Sequence, residues 1–391
     1  MMFFFKLVLA SLSLLSLYLI SWKLGEDGVA TYGIYLTLLN IMTIIILWGG
    51  GVRIVDDYTK HNSETYGVVL KSILLNSILM VILSIILYCL FQKKSLLMVI
   101  PSVSLSFMLC LSSYYYVRGR TYSGMLVSDG VKNFFPVLFI SLFCIIGYET
   151  ETELLILAVL SSISIGPFLL LKKLISISGS SQFNIKIWWQ YIKNNTLVVA
   201  PTIFIILSQQ FDRIILSTVV SSQEIAALFS AQTLLVIIFL GLQTVVNKYL
   251  PVISKVATLK SGSLQQEAKK IFVFIVLIGV ASIPLGWVYL NNLEVDVIMS
   301  MKIYIIMLVG VIVSLLFGIG QGALQFLENK KIYFYHMAFV ITAQLAILGS
   351  LFPVLGVFSA PVAFSISTIL SRYLSYYYWE KNGVHVGVWR K

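Results

Sequence analysis

The chain has 391 residues, of which 59% are hydrophobic and 11% charged, with a mean hydropathy of +0.96 and a net charge of +11. That balance lies far outside the range of a soluble globular domain. The positive charge is not a nucleic-acid signature either, because the cations follow a topological pattern along the chain.

Apolar runs long enough to cross about 30 Å of hydrocarbon recur from end to end, at 3–22, 34–52, 68–91, 95–117, 132–148, 154–171, 196–219, 225–246, 271–290, 299–320, 332–352 and 355–378. In lipid each backbone group must be satisfied within its own segment, and alternating period-2 stretches are absent, so the runs predict helices and not barrel strands. The first run has Lys6 as its single early cation, no small-residue cleavage site, and a continuation into Trp22 and Lys23, which predicts a retained span. Cys89, Cys110 and Cys144 fall inside predicted spans at no metal or disulfide spacing. With the N-terminus inside, 22 of the lysines and arginines lie in inner loops or span ends and 4 in outer ones, leaving Arg213 within the membrane. The expected fold is therefore an all-α polytopic membrane protein of about twelve transmembrane helices, with both termini cytoplasmic.

The predicted outer loops are short and acidic, and no folded soluble domain interrupts the chain. The segment KKLISISGSSQFNIKIWWQYIKNN (172–195) combines a joint at Gly179, Ser180 and Ser181 with apolar and cationic residues around Trp188 and Trp189, which suits an interfacial amphipathic helix. It divides the chain into a six-helix lobe at 1–175, a linker at 176–195 and a second six-helix lobe at 196–391. A weak internal match at an offset of 196, with Thr37-Leu38-Leu39 on Thr233-Leu234-Leu235, supports two parallel repeats.

The densest polar signal is ILSQQFDRIIL (206–216), in the seventh predicted span. On a helix Gln209, Asp212 and Arg213 fall at i, i+3 and i+4, beside Gln210 and one turn before Ser217. A charged side chain near mid-span costs about 2.5–3.5 kcal/mol on insertion scales, so the stripe requires a reason. One reading is an ion pair or interhelical hydrogen-bond clamp. The other is a stripe lining a water-filled cavity that meets an anionic substrate, and the planar fork of arginine favours it. Lys6, Arg53, Lys71, Arg118, Arg120, Lys132, Lys248 and Arg372 lie near span ends, where topology and snorkelling explain most of them; Lys6 is equally suited to a cavity. LWGGGVRIVDD (47–57) is not a phosphate loop, since no Gly-Lys-Ser/Thr follows, and its glycines predict close packing or a hinge. GIGQGAL (318–324) is read the same way, with Gln321 and Gln325 as further polar groups. The tyrosines of YYYVRGR (114–120) and RYLSYYYW (372–379) predict interfacial anchors, with sugar stacking the sharper alternative.

Leu24-Gly25, Tyr32-Gly33 and the close of a span at Gly49-Gly50-Gly51 resemble the opening of polysaccharide repeat-unit flippases. These are the O-antigen and capsule exporters of the multidrug/oligosaccharidyl-lipid/polysaccharide superfamily. Pro201, FDRIIL (211–216), Glu224 and YLPVISK (249–255) are similar, in that order, to the seventh and eighth spans of the same family. The spacing between Leu24-Gly25 and Tyr32-Gly33 is longer than the family's. The resemblance implies movement of a polyprenyl-pyrophosphate-linked oligosaccharide across a bacterial cytoplasmic (inner) membrane by alternating access. It implies no cofactor and no enzymatic step, with lipids and other polysaccharide-assembly proteins as partners. Coupling to a proton or sodium gradient stays open, since the sequence names no ion. Substrate contact is expected at Arg213, Asp212, Gln209 and Gln210, and at Lys6, Arg53 and Lys248 toward the inner mouth. A multidrug or organic-cation antiporter of the same superfamily is the nearest rival, though its cavity should be acidic or aromatic. A membrane polysaccharide polymerase is disfavoured by the short outer loops and by the scattered His61, His336 and His385.

Overall fold

A computed structural model describes residues 2–51, 53–54, 66–91, 94–146, 151–178, 184–259, 263–324, 327 and 329–389. The Gly179-Ser180-Ser181 joint and Gln325 lie outside these residues, as does the side chain of Lys248. The described chain is helical nearly throughout. Its long helices are α1 (Met2–Leu47), α2 (Tyr66–Phe91), α3 (Val99–Val117), α4 (Val131–Ile146), α5 (Thr152–Ser161), α6 (Ile185–Leu216), α7 (Ser222–Leu259), α8 (Gln265–Leu290), α9 (Val297–Leu315), α10 (Lys330–Leu355) and α11 (Ser359–Lys381).

Among the described residues, nine stretches are long and apolar enough to cross a membrane, or up to ten if a bent pair in α6 counts as one span. Two of the nine exceed a single crossing. Phe5–Leu47 has 43 residues, about 65 Å at 1.5 Å per residue, and it breaks at Gly25, whose φ of 64° and ψ of −157° belong to glycine. The outer loop expected at 23–33 is thus helix on either side of that break. Lys331–Lys381 divides where Pro353 and Gly356 (φ 54°) separate α10 from α11. An expectation of twelve crossings rests on counting each of these stretches as a pair. The sixth predicted span corresponds to Thr152–Leu169, in which α5 tightens at Ser162–Ser164 before the short helix Ile165–Leu169; a further short helix, Leu171–Ser178, follows.

Two compact units result, one formed by Val8–Val199 and the other by Met1–Leu7 with Ala200–Lys391. The expected linker at 176–195 falls within the first unit, and Lys6 within the second.

Serines staple the first unit. Ser102 and Ser106 of α3 each return a hydrogen bond to their own helix and also donate to Leu39 O and Thr43 O of α1, both at 3.1 Å. Small residues let the two backbones come that close, as membrane helices require when lipid offers no hydrophobic drive to pack. Around this seam Leu39, Leu105 and Ile163 form a buried cluster. The glycine run after α1 serves the same end. A Cβ on Gly49 (φ 73°) would stand 2.5 Å from Val199, on Gly50 2.5 Å from Val69, and on Gly51 2.8 Å from Ser113. The amphipathic start of α6 is tied into the unit at this point. Trp188 Nε1 donates to Asn76 (2.8 Å), Tyr191 Oη to Leu47 O (2.8 Å), and Trp48 Nε1 to Ile192 O (3.1 Å). Trp189, by contrast, is exposed.

In the second unit α11 packs along α9 and α10, and α7 along α8 and α9. Gly310 of α9 faces Ser365 of α11 so closely that a Cβ would lie 2.4 Å from the serine Cβ and Oγ. Past α11 the chain doubles back with Val384 and Val386 fully buried, His385 O accepting from Leu264 N (2.7 Å), and Val388 N donating to Leu316 O (3.1 Å). This strap passes against Gly318 (φ 85°), where a Cβ would fall 1.7 Å from Val386 O. One face of α8, carrying Val273, Leu277, Val280, Leu285 and Val288, is exposed and apolar, as a lipid-facing surface must be.

Candidate functional site

The polar stripe of α6 separates into two environments within the second unit. Asp212, Arg213 and Gln232 of α7 are buried, at 4%, 6% and 5% exposure. Gln232 Nε2 donates to Asp212 Oδ2 at 2.8 Å, and Arg213 Nε donates to Gln232 Oε1. Asp212 Oδ1 accepts from the Arg213 backbone N–H at 2.8 Å, and the guanidinium lies 4.7 Å from the Phe229 ring centroid. A carboxylate, a guanidinium and an amide thus satisfy one another where water is excluded, which offsets the desolvation of both charges. The grouping joins α6 to α7.

One turn earlier, Ser208 and Gln209 face an open-sided cavity of about 230 Å³ lined by residues of α6, α7, α10, α11 and the short helix Gly320–Leu324. Its apolar wall includes Ile205, Phe239, Met337 and Phe364; its polar wall holds Gln321, Ser367, Thr368, Ser371 and Arg372. The α11 contribution follows a single helical face, since Phe364, Ser367, Thr368, Ser371 and Arg372 stand at i, i+3, i+4, i+7 and i+8. Gln344 of α10 braces the wall by donating to Ser208 O (2.6 Å) and accepting from Ser367 Oγ (3.1 Å). His336 Nε2 meets Ser371 Oγ at 3.1 Å. Arg372 Nη1 donates to Gly318 O at 2.8 Å, while its Nε is buried without a hydrogen-bond partner among the described residues. Among the described residues the lining contains no aspartate or glutamate. The cavity can therefore accept hydrogen-bonding and anionic groups, and it offers no counter-charge to a cation.

Of the residues expected to meet substrate, Gln209 lines this cavity. Asp212 and Arg213 belong to the grouping with Gln232. Gln210 is partly buried and engaged elsewhere, Lys6 is partly buried in the second unit, and Arg53 is partly buried in the first. Two residues that carry the geometry escaped sequence reasoning. Gln232 is an amide inside the apolar run of α7, a signal that was visible but unpaired with anything. Arg372 reads as a snorkelling end charge until the Ser367, Thr368 and Ser371 stripe on its own helix is noticed. Among the described residues no group of three or more His, Cys, Asp or Glu could hold a metal ion.

No family model and no curated protein matches this sequence. Solved structures do match. An inward-closed lipid II flippase, MurJ, superposes with a TM-score of 0.66 at 14% identity, over 97% of this chain and 87% of that one. An outward-facing multidrug-resistance MATE family transporter of the MOP superfamily gives 0.59 at 12% identity, over 97% and 93%. A variant of the Vibrio cholerae MATE transporter VcmN gives 0.52 at 15% identity, over 97% and 94%. This chain thus has the polytopic helical fold of these membrane proteins along almost its whole length.

Proposed function

We propose that the chain is a membrane exporter that moves a polyprenyl-pyrophosphate-linked oligosaccharide from the inner to the outer leaflet of a bacterial cytoplasmic membrane by alternating access. The observation that carries this reading is the cavity of the second unit, where an arginine, four hydroxyls and two amides converge with no carboxylate among the described residues. Such a lining favours phosphate and sugar hydroxyls over an organic cation, which Arg372 would repel and which would find no counter-charge among the described lining residues. The fold shared with a lipid II flippase is consistent with a lipid-linked cargo. In this reading Gln209 and Arg372 contact the cargo, and Asp212, Arg213 and Gln232 hold α6 at the depth that presents Gln209.

A second reading, a multidrug antiporter, is favoured by the fold shared with MATE transporters. Purified protein in vesicles separates the two. A fluorescent lipid-linked saccharide placed in the inner leaflet should become accessible to an impermeant quencher faster than in protein-free vesicles, while a labelled organic cation should not be taken up under an imposed proton or sodium gradient. Cation uptake without lipid movement would establish the antiporter instead.

A further inference from the structure

The second unit holds two arginines on different terms, Arg213 buried and Arg372 partly buried. Arg213 has Asp212 and Gln232 beside it. Among the described residues Arg372 has one backbone carbonyl, a buried Nε without a hydrogen-bond partner, and a cavity wall without acids. A partly buried guanidinium with one acceptor keeps donors in hand for an anion or water that enters the cavity it lines. Other donors around it are also unused. Gln209 and Thr368 line the cavity without a hydrogen bond to any described residue, and Gln321 reaches only a thioether, Met337 Sδ at 3.7 Å. At about 230 Å³ the space lies below the roughly 300–1,000 Å³ of sites that enclose a drug-sized ligand. It suits a headgroup fragment, not an oligosaccharide.

We infer that this cavity is a phosphate subsite in which Arg372, Thr368 and Gln209 hold a pyrophosphate oxyanion of the cargo. The inference rests on the flippase reading for the source of the anion, and on the cavity alone for its chemistry. Arg372 offers the part of its guanidinium that lines the cavity, the Gly318 carbonyl holds Nη1, and the Thr368 hydroxyl and the Gln209 amide donate to the remaining oxygens. The Gly318 contact makes Arg372 a preset donor whose rotamer is fixed before the anion arrives.

The test uses the full chain in nanodiscs of neutral phospholipid, with inorganic pyrophosphate as probe and undecaprenyl pyrophosphate as competitor. Wild type should bind pyrophosphate, and the lipid should displace it. Arg372→Gln should weaken binding at least tenfold, and Arg372→Lys less, because it keeps the charge but loses the fork. Thr368→Val should weaken binding severalfold at an unchanged thermal midpoint, which separates a lost contact from a lost fold, since it leaves the Arg372–Gly318 bond in place. Equal pyrophosphate affinity in wild type, Arg372→Gln and Thr368→Val overturns the subsite, and it leaves the flippase standing if wild type still moves lipid-linked saccharide. Binding that depends on Arg372 but is not displaced by the polyprenyl lipid overturns the assignment to cargo and marks a site for a free anion. Displacement by phosphatidylglycerol as readily as by the polyprenyl lipid assigns the site to bilayer headgroups and overturns it as a cargo subsite.

Discussion

Replacing Gln232 with leucine keeps the side-chain volume close to constant while removing both the donor to Asp212 Oδ2 and the acceptor for Arg213 Nε. Hydrogen bonds to charged groups contribute about 1.5–3 kcal/mol each in soluble proteins, whereas interhelical bonds in membranes average about 0.6 kcal/mol. For two bonds these limits bracket about 1–6 kcal/mol. Burial decides where in the bracket the loss falls. At 4% and 6% exposure, Asp212 and Arg213 cannot recruit water in place of the amide. Each nevertheless keeps at least one partner, among them the Arg213 backbone N–H for the carboxylate and the Phe229 ring for the guanidinium. We therefore expect a destabilisation of about 2–4 kcal/mol. Equilibrium unfolding in mixed micelles, followed by tryptophan fluorescence, measures it. A double-mutant cycle with Asp212→Asn should return a coupling above about 1 kcal/mol, because the two substitutions remove one shared interaction. A Gln232→Leu protein within about 0.5 kcal/mol of wild type would refute the claim that this grouping ties α6 to α7.

Gly310→Leu should lower stability by about 1–3 kcal/mol or more, because even a Cβ there meets Ser365 at 2.4 Å; Ser365→Gly should recover part of the loss in the same unfolding assay. Gly318→Ala should expel the C-terminal strap, given the φ of 85° and the 1.7 Å approach to Val386 O, and limited proteolysis should cut the last residues faster than in wild type. Outside the spans, Lys94 Nζ meets both carboxylate oxygens of Glu151 at 2.7 Å, and this hydrogen bond raises its pKa above the ordinary lysine value. A raised pKa in the folded state gives a stabilisation that is fully present below the unfolded lysine value of about 10.4 and fades as pH climbs through the folded one. The contact is exposed, so the effect should be small and should shrink in high salt. Thermal midpoints of wild type and Lys94→Gln at pH 8 and about pH 11 check this, and the gap between them should narrow at the higher pH.

The helices and the membrane setting were legible because apolar run length is a direct physical demand of the bilayer, and the glycine run at 49–51 could be read as a packing point from its place at a span end. Charge in mid-span marked α6 as special, but sequence alone could not say which way each polar group points. Gln209 and Arg213 are a single turn apart, and one faces a cavity while the other meets Gln232 of a helix that begins after the next turn. That pairing depends on how α6 and α7 rotate against each other, which their leucine-rich faces leave open. Arg372 was discounted because snorkelling explains most end charges. The seam that holds it in place, from Gly318 O to the strap at Val386, joins residues far apart in the chain and has no local signature. Within the segment at 172–195 Trp189 is exposed, yet Trp188 beside it is captured by Asn76, a difference between neighbours that composition does not encode.

The sidedness of lipid-linked saccharide in cells lacking this gene tests the central claim most directly, using an impermeant probe of the outer leaflet. The account predicts accumulation on the inner leaflet, corrected by the wild-type gene and poorly by Arg372→Gln made at equal abundance. Undiminished outer-leaflet delivery in the deletion strain, with no second exporter present, would contradict it.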